Sequence, residues 1–193
     1  MMGEEGIKSA LEIAMEKISR LPELTPEEIA GQKEREYMPI GEALCQRYLN
    51  GAITDKDLSF ELEKCHGDKE HIVRRALISS LCRSIQLENL PNANMALKGI
   101  MFLFAGQNKA VERLTGDFQR ILEEFVRDRD GKYGEFQAQA RDRLNKLGIS
   151  GSAIRINPNE DKFWQAELRR IRHTYEPRLS NLRKILIQEF QTE

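Results

Sequence analysis

The stretch NMALKGIMFLFAGQNKAVERLTGDFQRILEEFVRDR, residues 94–129, carries the longest regular pattern in this sequence. Its spacing alternates between steps of four and three residues, and this seam runs through Leu97, Met101, Phe104, Asn108, Val111, Thr115, Phe118, Leu122 and Phe125. That period predicts one long helix packed against other helices, with Asn108 as a polar position that fixes the register. Gly106 leaves open whether the helix breaks there or lets a neighbouring helix approach closely. We therefore expect an all-α bundle of about six to eight helices with this long helix at its centre.

A second long helix is predicted over residues 159–190, near the carboxyl end. Its apolar stripe comprises Leu168, Ile171, Tyr175, Leu179, Leu182, Leu186 and Phe190. Steps of three, four and four residues repeat with a period of eleven, which predicts a nearly straight helix. Pro177 lies inside the pattern and is expected to kink it.

Shorter helices are predicted before and after the central one. An apolar stripe in residues 4–20 comprises Ile7, Leu11, Ala14, Met15 and Ile18. Thr25 and Thr54 are expected to begin two helices as N-caps and Asp68 a third, while Pro39 is expected to kink or divide the first of them. The stretch RDRDGKYGE, residues 127–135, is expected to end the central helix before a shorter helix that closes at Leu147, with Gly148 as its left-handed cap.

The chain is expected to form one continuous domain in three parts. Residues 1–147 are the helical bundle, residues 148–158 are a connector or a short edge strand rich in Gly, Ser and Ile, and residues 159–193 are the C-terminal helix. In the connector, Ile154 and Ile156 alternate with Arg155. The two isoleucines either pack on the bundle or pair with the same stretch of a second subunit, because a lone strand leaves its backbone groups without partners.

Composition narrows the classes of protein that fit. The 193 residues carry a net charge of −1, which argues against a dedicated nucleic-acid binder. Three widely spaced cysteines suggest no disulfide framework, and the acidic N-terminal stretch does not resemble a secretion signal. No apolar run is long enough to cross a bilayer, so a soluble cytoplasmic protein without a cofactor is expected.

The stretch CHGDKEH, residues 65–71, groups the side-chain types that bind transition metals. Its candidate ligands are Cys65, His66, Asp68, Glu70 and His71. Their spacing is unlike that of known zinc sites, since Cys65 and His66 are adjacent and the two histidines are five residues apart. A polar turn between helices is the simpler interpretation, and a metal-binding helical protein is kept as an alternative.

The C-terminal helix is rich in positive charge, at Arg169, Arg170, Arg172, Arg178, Arg183 and Lys184. Such a helix favours contact with a nucleic-acid backbone, and a nucleic-acid accessory role is the second alternative. Aromatic residues that stack on bases are sparse there, with only Trp164 and Tyr175. A solvated helix face is therefore the simpler interpretation.

The entry stretch IKSALEIAMEK, together with the Gly-Ser-Ile break before a terminal helix, resembles small bacterial all-helical proteins of unknown function. The resemblance implies an all-helical fold. It assigns a role to no residue of this chain.

These patterns predict a non-enzymatic interaction or scaffold protein that acts as a homo-oligomer, with a dimer favoured. The C-terminal stripe has few evident partners within the chain, so a second copy is expected to cover it. An unidentified protein partner is a further possibility. The predicted interface consists of Leu168, Ile171, Tyr175, Leu179, Leu182, Leu186 and Phe190, with Ile154 and Ile156.

Overall fold

A computed structural model describes residues 25–104, 108–149 and 160–191, and the isolated positions 9–11, 15, 157 and 158. Six helices are described in full: α1 (Pro26–Leu49), α2 (Asp55–Glu63), α3 (Asp68–Ser84), α4 (Leu90–Leu103), α5 (Lys109–Lys146) and α6 (Lys162–Gln191). Strands do not occur among these residues, so the all-α prediction is confirmed. The predicted helix 4–20 and the connector isoleucines Ile154 and Ile156 lie largely or wholly outside the described residues.

The predicted starts of two helices are confirmed by their hydrogen bonds. Thr25 Oγ1 accepts a hydrogen bond from the Glu28 amide at 3.2 Å, and the Glu28 carboxylate accepts one from the Thr25 amide at 2.8 Å. Thr54 and Asp57 make the same reciprocal pair at the start of α2. These two capping boxes satisfy backbone donors that the first helical turn leaves open.

The prediction that Asp68 caps α3 is wrong. Gly67 occupies the N-cap position with φ +60, a conformation that favours glycine, and Asp68 is the first residue of the helix. The Asp68 carboxylate instead accepts a hydrogen bond from Lys33 Nζ on α1 at 2.6 Å. A contact between helices has replaced the local cap.

The long central helix is present, but it spans Lys109–Lys146 and not 94–129. Residues 94–103 belong to α4, and Asn108 is the N-cap of α5, since its Oδ1 accepts hydrogen bonds from the amides of Ala110 and Val111 at 2.9 and 3.4 Å. Asn108 therefore caps a helix and does not set the register of a seam. Within α5 the seam residues are buried as predicted: Val111, Thr115, Phe118, Leu122 and Phe125.

The predicted helix end at 127–135 is also wrong, because α5 continues through this stretch to Lys146. Tyr133 and Phe136 both pack on Trp164 of α6, and these contacts offset the helix-weakening effect of Gly131 and Gly134. The end of α5 is as predicted, since Gly148 follows it with φ +76 and donates its amide hydrogen to the Asn145 carbonyl. Helices α1 and α6 likewise run through Pro39 and Pro177 without a break.

The core lies where α1, α3, α4, α5 and α6 meet. Its largest fully buried side chains include Tyr48, Leu77, Leu97, Phe118, Phe125, Leu179 and Leu186. Tyr48 is tied down at its hydroxyl, which donates to Asp55 Oδ1 at 2.7 Å, and Asp55 also pairs with Lys98 Nζ at 2.9 Å. None of the described helices has the length and apolar character that crossing a membrane requires.

Helices α1 and α3 approach each other most closely at Gly41. A methyl group at this position would lie 2.7 Å from Ala76 Cβ and 2.8 Å from the Leu77 amide nitrogen, and closer still to the Val73 carbonyl oxygen. Two of these three atoms are backbone, so the neighbour cannot yield by rotating a side chain. The crossing of α1 over α3 therefore requires glycine at position 41.

We predict that Gly41→Ala destabilises the fold by about 2–3 kcal/mol, because the added methyl group forces the two helices apart. Chemical unfolding monitored by circular dichroism measures the change. Gly31→Ala, in the same helix, is the matched control. Its methyl group would meet only a side-chain atom of Arg35 at 3.9 Å, and it should stabilise by about 0.5–1 kcal/mol through helix propensity alone. Equal effects at the two positions would contradict the close approach.

All three cysteines are buried and free. Burial raises the pKa of the Cys82 thiol to about 12 and that of the Cys45 thiol to about 11. In the unfolded chain the same thiols ionise from about pH 9. The folded state therefore retains thiol protons that the unfolded state loses above pH 9, and stability falls as pH rises from there.

We predict that at pH 10 Cys82 alone lowers the unfolding free energy by about 1 kcal/mol relative to pH 8. Urea unfolding at the two pH values measures the loss in the native chain and in Cys82→Ala. The variant is less stable at pH 8 because of the missing sulfur, but its stability should fall less between the two pH values. An equal fall in both proteins would show that Cys82 ionises as readily in the folded chain as in the unfolded one.

Candidate interaction surface

The residues of the candidate metal cluster do not converge. Cys65 is buried, with its Sγ donating to the Glu61 carbonyl at 3.6 Å, and Asp68 is paired with Lys33. His66, Glu70 and His71 are exposed to solvent. In the described part of the chain, no group of three His, Cys, Asp or Glu side chains is placed to hold a metal ion.

Most of the basic residues of α6 face acidic partners. Arg178 pairs with Glu124 of α5 at 2.8 Å, and Arg172 pairs with Glu88 at 3.4 Å. Within α6 itself, Arg170 pairs with Glu167, and Arg183 with Glu176. These pairs hold α6 to its neighbours and neutralise much of the charge that phosphate contacts would need. Arg169 and Lys184 lie exposed on the helix.

The apolar stripe of α6 is covered by the chain itself. Ile171, Tyr175, Leu179 and Leu186 are buried at 8%, 5%, 0% and 0% exposure, and Leu182 and Phe190 pack against the same core. The Tyr175 ring meets Phe125 edge-on at 5.9 Å, and the Phe190 ring lies 4.6 Å from that of Phe104. Leu168 is half-buried. The unpartnered surface that favoured a dimer through this stripe is therefore absent, and that line of argument no longer holds.

Helix α5 extends well past its part of the core. Phe125 is its last buried residue, yet the helix continues for a further 21 residues to Lys146. Its described contacts beyond that point are with α6. We call this two-helix extension, residues 127–146 of α5 with residues 162–171 of α6, the arm. At 1.5 Å per residue its longer helix measures about 30 Å.

Trp164 is the residue that holds the arm together. Its side chain is 6% exposed, and its ring centroid lies 5.0 Å from that of Tyr133 and 5.7 Å from that of Phe136. Asp161 fixes the start of α6 there, since its Oδ1 accepts hydrogen bonds from the amides of Phe163 and Trp164 at 2.8 and 3.0 Å. The arm is thus a helical hairpin whose small core is aromatic.

The arm joins the body through Tyr175. Its hydroxyl donates to the Asp128 carboxylate, a hydrogen bond that raises the pKa of Tyr175 to about 12. Arg178 and Glu124 pair one turn further into the body. Aromatic packing and two polar contacts therefore fix the direction in which the arm leaves the bundle.

The free end of the arm exposes large apolar side chains. Phe163 is 73% exposed, Leu147 74% and Ile149 49%, and we call these three residues the tip patch. The Arg143 guanidinium lies 5.7 Å from the centre of the Phe163 ring, which ties the ends of the two helices together. Beside the patch runs an open groove whose lining includes Phe136, Gln139, Trp164, two lysine or arginine and two glutamate side chains, namely Lys132, Arg170, Glu135 and Glu167.

Sequence reasoning placed Phe163 and Trp164 together in a core or an interface, and the structure separates them. Adjacent residues of a helix point about 100° apart, so Trp164 faces α5 while Phe163 faces solvent. The signal for the arm was present in Phe136, Ala140, Leu144 and Leu147, which repeat at helical spacing. The two glycines before them were taken as a helix end, which hid the continuity with α5.

No protein-family model, no curated protein and no solved structure matches this chain. The resemblance to small bacterial helical proteins thus stays an expectation drawn from the sequence. The geometry of the arm is the observation from which a function must be argued.

We predict that Trp164→Ala loosens the arm while the body stays folded, because it removes the side chain that Tyr133 and Phe136 share. Hydrogen exchange should become at least about tenfold faster in residues 133–146 and stay unchanged in α1 and α3. Phe163→Ala, one residue away and exposed, should leave the exchange of both regions unchanged. Equal acceleration across the whole chain would contradict an independently stabilised arm.

Proposed function

We propose that this chain is a non-enzymatic interaction protein that forms a reversible homodimer through its arm. The observation that carries the proposal is the tip patch, in which Phe163 and Leu147 are each nearly three-quarters exposed. Large apolar side chains grouped on an otherwise charged surface are typical of protein–protein contact sites. The dimer expected from the sequence is retained, and its surface moves from the stripe of α6 to the arm.

The architecture of the arm supports a second copy as the partner. Two antiparallel helices bury only the seam between them, whereas four helices bury a shared core, and two such hairpins together form a four-helix bundle. The arm already carries half-buried Phe136, Ala140 and Leu144 along α5 and Leu168 along α6. A two-fold axis brings the same surface of each copy together.

The charges along the arm groove fit a self-complementary contact. Its lining holds two basic side chains, Lys132 and Arg170, and two acidic ones, Glu135 and Glu167. A surface that meets its own copy needs both signs in equal measure, whereas a nucleic-acid site needs an excess of positive charge. The balance therefore favours a second copy over a phosphate backbone.

The size of the arm sets the expected strength of the dimer. A face about 30 Å long and about 20 Å wide at its base covers on the order of 500 Å². Stable interfaces bury about 800 Å² on each partner, and smaller ones are weak or transient. A dimer that dissociates on dilution is therefore expected, with the tip patch as its central contact.

We predict that Phe163→Asp weakens the dimer by about thirtyfold or more, since it places a charge in the centre of an apolar contact. Light scattering behind a sizing column, over a range of loading concentrations, measures the change. Phe60→Asp is the matched control. Phe60 is 59% exposed on α2, a helix that contacts α1, α3 and α4 but neither helix of the arm.

A native chain that rises from monomer to dimer with concentration, together with a monomeric Phe163→Asp and a dimerising Phe60→Asp, supports the proposal. A native chain that stays monomeric at the highest concentration overturns it. Equal weakening by both variants also overturns it, because the contact would then not be specific to the arm.

A further inference from the structure

A second open groove lies at the opposite end of the fold's chain order, between the first half of α1 and the start of α3. Its apolar floor is formed by Pro26, Ile29, Ala30 and Ile72. Charged residues line its sides, and two ion pairs, Lys33 with Asp68 and Glu34 with Arg75, hold the two helices together there. Because these charges are already paired, the floor is the part of the groove that lacks a partner.

The first half of α1 has no core of its own. No residue of α1 before Gly41 is buried, and Ile29 is 41% exposed. Helices of this length gain most of their stability from an apolar face packed against a neighbour. The start of α1 therefore presents an apolar strip that a covering helix would stabilise.

The preceding chain carries a matching strip. In residues 4–20 the stripe of Ile7, Leu11, Ala14, Met15 and Ile18 has the spacing of one helix face. Of these five residues, the structure describes Leu11 and Met15, and both are exposed, at 73% and 62%. The stripe and the groove floor are thus two apolar surfaces that lie uncovered in this arrangement of the chain.

Chain connection brings these surfaces together. Only residues 21–24 and the cap Thr25 separate the stretch 4–20 from Pro26, which itself lines the groove. Connections of this length join antiparallel helices in helical hairpins. A tether this short gives the stretch a high effective concentration at the groove, which favours it over a separate molecule.

We propose that residues 4–20 seat their apolar stripe in the groove between α1 and α3, as the first helix of a hairpin with α1. In this docked arrangement Ile18 lies nearest Pro26, and Met15 and Leu11 follow along the floor toward Lys33. Both strips repeat every three to four residues, about 5 Å along a helix, so their side chains match in spacing. This inference concerns the other end of the chain and does not depend on the arm.

The test measures hydrogen exchange of the α1 amides 30–37 in Leu11→Glu, with Ser9→Glu as the control. Ser9 lies two residues away, about 200° around a helix from Leu11, so its variant adds the same charge on the opposite face. We expect Leu11→Glu to speed exchange of these amides by about tenfold and Ser9→Glu to leave it unchanged.

Ile29→Glu probes the same contact from the groove. Glutamate near the start of a helix favours that helix, so faster exchange in this variant reports a lost contact and not a weakened helix. The same acceleration is expected as in Leu11→Glu. Combining the two changes should add little, because both remove one interaction.

All measurements are made in the Phe163→Asp background and at two protein concentrations, so that dimerisation through the arm does not enter. Protection of α1 that depends on Leu11 but not on concentration supports docking within one chain. Protection that rises with concentration overturns it and assigns the groove to the N-terminal stretch of a second copy. Exchange that is equal in Leu11→Glu and Ser9→Glu overturns docking altogether.

Discussion

The packing of α6 against both α3 and α5 is the contact on which the rest of the structure depends. Helix α5 touches only α4 and α6 among the described helices, so α6 provides most of its attachment to the bundle. Leu179 and Leu186 are fully buried in this contact, and Tyr175 packs on Phe125. Because the stripe of α6 is covered in this way, the chain closes its main core without a second copy, and open apolar surface remains only at the ends of helices.

Local patterns in the sequence predicted local structure well, and contacts between distant residues decided the rest. The capping boxes at Thr25 and Thr54 were predictable because their hydrogen bonds span three residues. The break before Asn108 was not, since Asn108 falls on the heptad spacing and also serves as a cap. The two glycines after Asp130 suggested a helix end, yet Trp164, about 30 residues further along the sequence, keeps α5 helical there.

The same limit applies to the candidate surfaces. The stripe of α6 was identified residue by residue, but periodicity shows only which side chains leave water and not which surface receives them. The hydrophobic effect has no direction, so a stripe covered by its own chain and one covered by a partner look alike in sequence. Phe163 became a candidate only when the structure showed Trp164 turned inward and Phe163 turned outward.

One physical cause underlies both proposed surfaces. Helix α1 begins 15 residues before its first buried residue, Gly41, and α5 ends 21 residues after its last, Phe125. A helix that extends beyond its core keeps an amphipathic face, and that face stays in water unless another helix covers it. The two extensions differ in what is available to cover them. The start of α1 has an amphipathic stretch tethered beside it, whereas the end of α5 has only the short first part of α6, which leaves the tip patch open. Since α1 contacts neither α5 nor α6, the two surfaces are structurally separate, and changes at one should add to changes at the other without coupling.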